Sequence, residues 1–225
     1  MKLRLSKSKI NTYLNCPFLY KLLYVDKVEM PITPYAMSRG VDLHKVFEIF
    51  FKNKENTIND AEKKTFGMIS DEVKFAVASA KKLALFLSPD KKMMPDVVMT
   101  EEKIYCENLD VVGIVDAVFS DGETNMIIDY KSGKVHPLKN YLFELSVYKM
   151  LIEKKKKINV DYYGIYFIDA EKLVYQKADN DEDERTLNKI NMVKTKIINN
   201  EFPKKVSKNC RNCIAFINGV CDGKA

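Results

Sequence analysis

Two short apolar runs that carry charge in their interiors constrain this chain more than any other feature. Val111 to Phe119 and Met126 to Tyr130 are rich in β-branched and aromatic residues, and Ser120-Asp-Gly-Glu-Thr-Asn125 between them consists of turn formers. The stretch therefore predicts a β-hairpin. Asp116 stands among Ile114, Val115, Ala117 and Val118, and a carboxylate buried there is costly unless a cation or strong donors meet it. Asp129 and Lys131 lie on one face of the second strand and Tyr130 on the other, because side chains alternate along a strand. Two acids and an ammonium on one sheet surface suit a hard divalent ion, and oxygen ligands favour magnesium or manganese over zinc. Taken alone, Asp-Tyr-Lys is more often a salt bridge at a strand end, with Asp116 an edge residue.

The chain has 225 residues, of which 46% are hydrophobic, enough for one domain with a sizeable core. Its 37 basic against 31 acidic residues give a net charge of +6, a moderate excess that favours a polyanionic partner. No apolar run approaches the roughly 18 residues of a membrane span, and the first residues lack the apolar segment of a signal peptide. The expected compartment is the cytoplasm, with no membrane partner.

Ser6 is placed to cap a helix through Ile10, Tyr13 and Leu14, and Cys16-Pro17 interrupts it so that Pro17 opens a second one. Pro31 and Pro34 mark a loop. Ala36 to Phe51 then has Val41, His44, Phe47, Glu48 and Phe51 at helical spacing. A histidine on such a stripe is ordinarily a satisfied core residue. Ile58 to Leu87 predicts one long helix or two, with Phe66 on its apolar side and Ser88-Pro-Asp90 ending it. Val97 to Cys106 begins the sheet; Glu101 and Glu102 fit a solvated strand end, the alternative being reach toward a metal through water. Asn140 to Ile152 is a helix on which Glu144 and Tyr148 project together, and the lysines at 154–157 suit its C-terminus. Val160 to Ile168 and Leu173 to Gln176 predict strands, and the acids at 181–184 open a last helix that stops near Pro203.

Cys210, Cys213 and Cys221 form C-x2-C-x7-C. Disulfides fit a cytosolic chain poorly, and the pattern asks for a metal or cluster with one more thiolate, from Cys16 or Cys106. Cys106 lies among strand residues as a small hydrophobe does. Four thiolates suit zinc as well as an iron–sulfur cluster.

Gly113-Ile-Val-Asp116 followed by Ile127-Ile-Asp-Tyr-Lys-Ser-Gly-Lys134 resembles the core of the PD-(D/E)XK nucleases, specifically the RecB-like branch that includes the CRISPR-associated exonucleases. Arg39-Gly-Val-Asp-Leu-His44-Lys-Val-Phe-Glu48 is similar to the branch's R-G-x-x-x-H-x-x-x-E, whose histidine reaches the metal. Glu144 and Tyr148 resemble its Q-x-x-x-Y element, with glutamate in place of glutamine. A carboxylate there donates no amide hydrogen bond and repels a phosphate unless it binds metal or pairs with lysine. Val115 also stands where many relatives have proline. Tyr13-Leu-Asn-Cys-Pro-Phe-Leu-Tyr20 resembles the Y-x-x-C-P segment of the iron–sulfur members, which implies a [4Fe-4S] cluster on Cys16, Cys210, Cys213 and Cys221 that clasps the two chain ends.

The expected fold is α/β, a restriction-endonuclease-like core in which helices flank a small mixed sheet. Residues 1–30 and 200–225 are expected to form the cluster lobe, 36–90 a helical insertion and 97–178 the nuclease core of one domain. The resemblance implies hydrolysis of phosphodiesters in single-stranded DNA or at DNA ends, with Mg2+ or Mn2+ on His44, Asp116, Asp129 and the Tyr130 carbonyl, and Lys131 orienting the attacking water. Tyr148, Tyr141, Arg39 and lysines are expected to line the DNA groove. The other expectations are a DNA-binding adaptor without turnover, or a subunit serving recombination, repair or CRISPR adaptation proteins, with a homo-oligomer as a further partner.

Overall fold

The computed structural model describes residues 3–32, 35–52, 57–65, 68–88 and 95–223. Pro34, Phe66, Pro89 and Asp90, and the side chain of Ile58, lie outside them. Strand β1 (Leu5–Ser6) runs directly into helix α1 (Lys7–Asn15), whose cap is Ser6: its Oγ accepts the Lys9 N–H at 3.1 Å. The chain turns at Cys16, and Pro17 opens α2 (Pro17–Tyr20), which continues as a π-helical turn over Lys21–Val25. Helix α3 (Tyr35–Lys52) buries Leu43, Val46, Phe47 and Phe50 and leaves Val41 67% exposed, so the core-facing arc lies away from Val41. The stretch to Leu87 is two helices, α4 (Thr57–Lys64) and α5 (Ser70–Leu87).

Strands β2 (Asp96–Cys106), β3 (Val111–Ser120), β4 (Asn125–Lys131), β5 (Tyr162–Phe167) and β6 (Lys172–Lys177) join β1 in one six-stranded mixed sheet. The hairpin β3–β4 forms as the apolar runs predict. Along one edge β3 pairs antiparallel with β2 over its whole length. Its other edge is shared: β1 pairs parallel at Leu5↔Val111 and Ser6↔Val112, and β4 pairs only from Ala117↔Ile128 to Ser120↔Asn125. Between these ladders, over residues 113–116, that edge of β3 is forked open. Two-residue β1 has no periodicity of its own, and its partner is remote in sequence, so no local pattern announces it.

A 3-10 turn over Leu138–Asn140 leads into α6 (Leu142–Lys156), which connects β4 to the parallel strand β5. Strand β6 returns antiparallel, and α7 (Asn180–Ile198), capped by Asp179, ends before a short α8 (Ile214–Ile217). One face of the sheet packs Val115, Val118 and Ile127 against Ile10, Leu145, Leu151 and Ile190. The other packs Ala117, Ile128, Tyr130 and Tyr166 against Leu43, Phe47 and Leu83. This is the expected α/β arrangement of a mixed sheet between helices. Gly113 sets the spacing at the fork, because a Cβ there would lie 2.7 Å from Leu151 Cδ1 and 3.2 Å from Tyr148 Cε1. No helix among the described residues is long and apolar enough to cross a membrane.

Candidate active site and metal centre

At the fork the alternation of β3 changes phase. Val115 packs with α6, whereas Ala117 and Phe119 pack beneath α3 and α5, which leaves Asp116 at the break. Where the β3–β4 ladder stops, the Asp116 carboxylate replaces the missing backbone partner, its Oδ2 accepting the Tyr130 N–H at 2.8 Å. Opposite it on β2, between the pairs Thr100↔Ala117 and Glu102↔Val115, stands Glu101 with φ 47°. A left-handed glutamate inside a strand costs about 1–3 kcal/mol. It swings its carboxylate toward the fork.

Helix α3 delivers His44 to the same point. Its Nε2 lies 3.0 Å from the Tyr130 carbonyl oxygen, and its Nδ1 is 3.3 Å from Glu101 Oε1 and 3.4 Å from Asp116 Oδ2. Ligand atoms of His44, Glu101 and Asp116 all lie within 4.8 Å of one another, a grouping that suits a metal ion. Two expected ligands, His44 and the Tyr130 carbonyl, thus touch each other.

Asp129, 1% exposed, faces a second patch, in which Lys131 pairs with it and Lys7 Nζ lies 3.6 Å from its Oδ1. Glu144 completes this patch by accepting from Asn11 Nδ2 at 2.7 Å, Lys7 at 3.1 Å and Lys131 at 3.2 Å. The site is therefore an imidazole–carboxylate half beside an amine–carboxylate half. Lys7 and Asn11 do not figure in the sequence reading; they come from α1, which the pairing of β1 with β3 and the packing of Ile10 and Tyr13 in the core bring here.

Burial and the nearby Asp129 charge push the Asp116 carboxyl up to about 7. Burial disfavours charge on His44, yet Asp116, Glu101 and Asp129 outweigh it and raise the imidazole to about 9. Burial also opposes ionisation of Asp129, but Lys131 and Lys7 hold it below its ordinary value. The ammonium groups of Lys7 and Lys131 are raised despite burial, chiefly by Asp129 and Glu144.

Three sequence expectations change. Glu101 is no solvated strand end, although Glu102 is: it pairs with Lys156 at the surface. Tyr148 is 2% exposed, with Lys7 Nζ 4.8 Å from its ring centre, so its ring supports the site from below and offers no face for stacking a base. The Arg39 guanidinium is engaged by Glu72 at 3.2 Å and by Asp169 at 2.8 and 3.1 Å, which turns it from a DNA contact into a strut between α3, α5 and the loop after β5. The distances that decide all three are set by elements far apart in the chain.

Cys16, Cys210, Cys213 and Cys221 line one cavity of about 490 Å³, together with Phe18 and Lys204. The cavity sits where the chain ends meet: Phe18 donates its N–H to the Pro203 carbonyl at 3.2 Å, Lys205 reaches the Leu14 carbonyl at 2.8 Å, and Tyr20 stacks on Phe202. Cys106 is buried in the core, as its strand position predicts.

The sequence matches the family profile of the PD-(D/E)XK nuclease superfamily over residues 4–221. This chain belongs to that superfamily. Its members are nucleases that use divalent metals, and the imidazole–carboxylate grouping at the fork fits that requirement. Among solved structures, a candidate exonuclease from Eubacterium rectale superposes with a TM-score of 0.54 at 12% identity, covering 94% of this chain and 88% of that one. That likeness is one of fold. SSO0001 aligns over 97% of this chain and 94% of its own, with 14% identity and a TM-score of 0.38. No curated protein matches the chain.

Proposed function

We propose that this PD-(D/E)XK nuclease is a deoxyribonuclease of the RecB-like branch, an exonuclease on single-stranded DNA or DNA ends. In this reading His44, Asp116, Asp129 and the Tyr130 carbonyl hold Mg2+ or Mn2+, and four cysteines hold a [4Fe-4S] cluster. The observation that carries it is the convergence at one fork of two buried carboxylates, an imidazole and two ammonium groups.

The residues fit a hard divalent ion. Asp116 meets a single backbone donor and shares with His44 and Glu101 a grouping of ligand atoms within 4.8 Å. Asp129 beside it is paired with Lys131 and Lys7, so the imidazole–carboxylate half is where a divalent cation finds oxygens to satisfy. Such an ion supplies Lewis acidity toward a phosphoryl oxygen and toward water. The chain's own groups do the rest. Lys131, kept protonated by Asp129 and Glu144, serves to orient water or to meet charge on the phosphate; the role of base is the one its environment disfavours. Glu144 holds that ammonium and Lys7 in place, and the Tyr148 ring lies against Lys7.

Four cysteines around one cavity suit an all-thiolate site, and the choice of a cluster over zinc rests on the resemblance of the segment around Cys16-Pro17 to the iron–sulfur members. The partition into a cluster lobe, a helical insertion and a nuclease core belongs to the same reading.

The test uses anaerobically purified full-length protein, its iron count and absorbance spectrum, and end-labelled single- and double-stranded DNA with Mn2+ or EDTA. Metal-dependent trimming from ends is expected, falling by about a hundredfold or more in Asp116→Ala and Lys131→Ala while DNA binding and fold persist. Near-normal cleavage by Lys131→Ala removes that residue from the mechanism. A colourless, zinc-filled, inert protein leaves a DNA-binding adaptor.

A further inference from the structure

We infer that the open sheet face running from the fork toward β1 is a docking platform for single-stranded nucleic acid. Ile114, Val112 and Tyr105 meet unpaired bases there, and Lys103 and Arg4 meet phosphates. This rests on the nuclease reading of the fork and extends it to a surface that neither the metal grouping nor the thiolates use.

The platform follows from the register of β2 and β3. Ile104 and Val111 lie in the core under α6, and a Cβ on Gly113 would touch Leu151 of that helix. Alternation therefore sends Lys103, Tyr105, Val112 and Ile114 to the opposite face. They make two adjacent cross-strand pairs, Lys103↔Ile114 and Tyr105↔Val112. None of the four belongs to the core beneath α3 and α5, which on β3 takes in Ala117 and Phe119. Ile114 is accordingly 50% exposed, Lys103 is exposed, and Tyr105 and Val112 are half-buried. Leu5 is buried beside Val111, so Arg4 just before it projects to the same open face. Its guanidinium carbon lies 4.3 Å from the centre of the Tyr105 ring, a cation–π contact that fixes the far end of the row.

The open face of a sheet is ordinarily polar. Here apolar side chains are interleaved with two cations, a composition suited to a single strand, whose unpaired bases offer π-faces and whose backbone is anionic. Asp110, the acid at this end of the hairpin, is engaged by the Tyr105 hydroxyl at 3.2 Å and by Lys194 at 3.9 Å. Two residues advance a strand by about 6.7 Å, so the two pairs lie one and two such steps from Glu101 and Asp116. A chain with its phosphodiester at the fork can thus lay the neighbouring nucleotides along this row. A duplex keeps its base faces stacked and gains only from the cations, so the apolar part of the row favours single strands. The row also supplies contacts that Tyr148 and Arg39 cannot make, the first being buried and the second held by acids.

The experiment measures binding of full-length protein in EDTA, by fluorescence anisotropy at several salt concentrations. The probes are a single-stranded oligonucleotide, the same strand with abasic sites near one end, and a blunt duplex. The proteins are wild type, Ile114→Ser, Lys103→Gln and Arg4→Gln, each checked for an unchanged melting temperature, and wild type is assayed in parallel for Mn2+-dependent cleavage. Wild type is expected to bind the normal strand about fivefold or more tightly than the abasic strand. Ile114→Ser should lose about that factor on the normal strand and less than about twofold on the abasic strand and the duplex. Lys103→Gln and Arg4→Gln should weaken binding to all three probes, each lowering the salt slope for single strands by about 0.7. Ile114→Ser binding that is unchanged, or that falls equally on all three probes, overturns the platform while Mn2+-dependent cleavage by wild type leaves the nuclease reading standing. Salt slopes that stay at the wild-type value in both cation variants overturn it as well. A wild-type protein that neither binds DNA nor cleaves it with Mn2+ removes the nuclease reading and the platform together.

Discussion

Glu144 has a carboxylate where an amide is the pattern of the RecB-like branch, and Lys7 explains how that charge is tolerated. Lys7, Lys131 and Asn11 surround it within 3.2 Å, so the acid is neutralised inside the site before it can face a phosphate. Removing Lys7 alone strands Glu144 and Asp129 with one ammonium between them. Lys7→Met is therefore expected to destabilise the fold by about 1–3 kcal/mol and to weaken cleavage, and adding Glu144→Gln should restore most of both. Denaturant unfolding and turnover of the two single variants and the double variant measure that coupling, and strict additivity would refute it. His44 and Asp116 set a pH dependence for the metal-free protein. His44 is raised from 6.5 to about 9, so the stability it adds is complete below its unfolded value and is lost as pH climbs through about 9. Asp116 is raised from 3.8 to about 7, so its ionisation costs stability across that interval. Both make the melting temperature in EDTA fall from mildly acidic pH to about 9, and Mn2+ should flatten the fall. Thermal melts across this range check it, and a melting temperature that rises with pH in EDTA contradicts both assignments.

At the level of elements, helix α6 against β3 decides whether the fork exists. Gly113 lets Leu151 and Tyr148 rest on the strand. Leu151 is fully buried and the end of Tyr148 is walled in, so neither has room to yield. Gly113→Ala is expected to cost about 1–3 kcal/mol from overpacking, read as a lower denaturant midpoint, with a larger relative loss of activity because α6 carries Glu144 and Tyr148. An alanine variant as stable as wild type would show that α6 shifts freely. Most elements are legible in the sequence. Ser6, Pro17 and the acids after Asp179 mark helix starts, and the β-branched runs mark β3, β4 and β5. Strand β1 is illegible, as is the opening of the β3–β4 ladder after Ala117↔Ile128, because both depend on partners that only the folded chain brings alongside.

For the whole molecule, the nine-residue helix α1 joins two distant functions. Lys7 stands at its start in the nuclease site, and Cys16 follows its end in the thiolate cavity, a span of roughly 14 Å. On the proposal that the four cysteines hold one cluster, replacing Cys213 by Ser should release both chain ends together. Limited proteolysis is expected to cut near residues 16–32 and 203–221 before the sheet, with activity falling in parallel as Lys7 and Asn11 leave Glu144. Cuts confined to one end would separate the two functions. The amino-acid sequence alone determined the hairpin, the two aspartates and lysine on it, the histidine and the four cysteines, because strand and helix periods and motif spacing are local properties. Tertiary structure decided the rest: that Lys7 and Asn11 serve Glu144, that Glu101 turns inward, that Tyr148 is buried and that Arg39 is a strut. Those outcomes follow from which remote surfaces pack together and which buried charges then need partners, and neither is written in any local pattern.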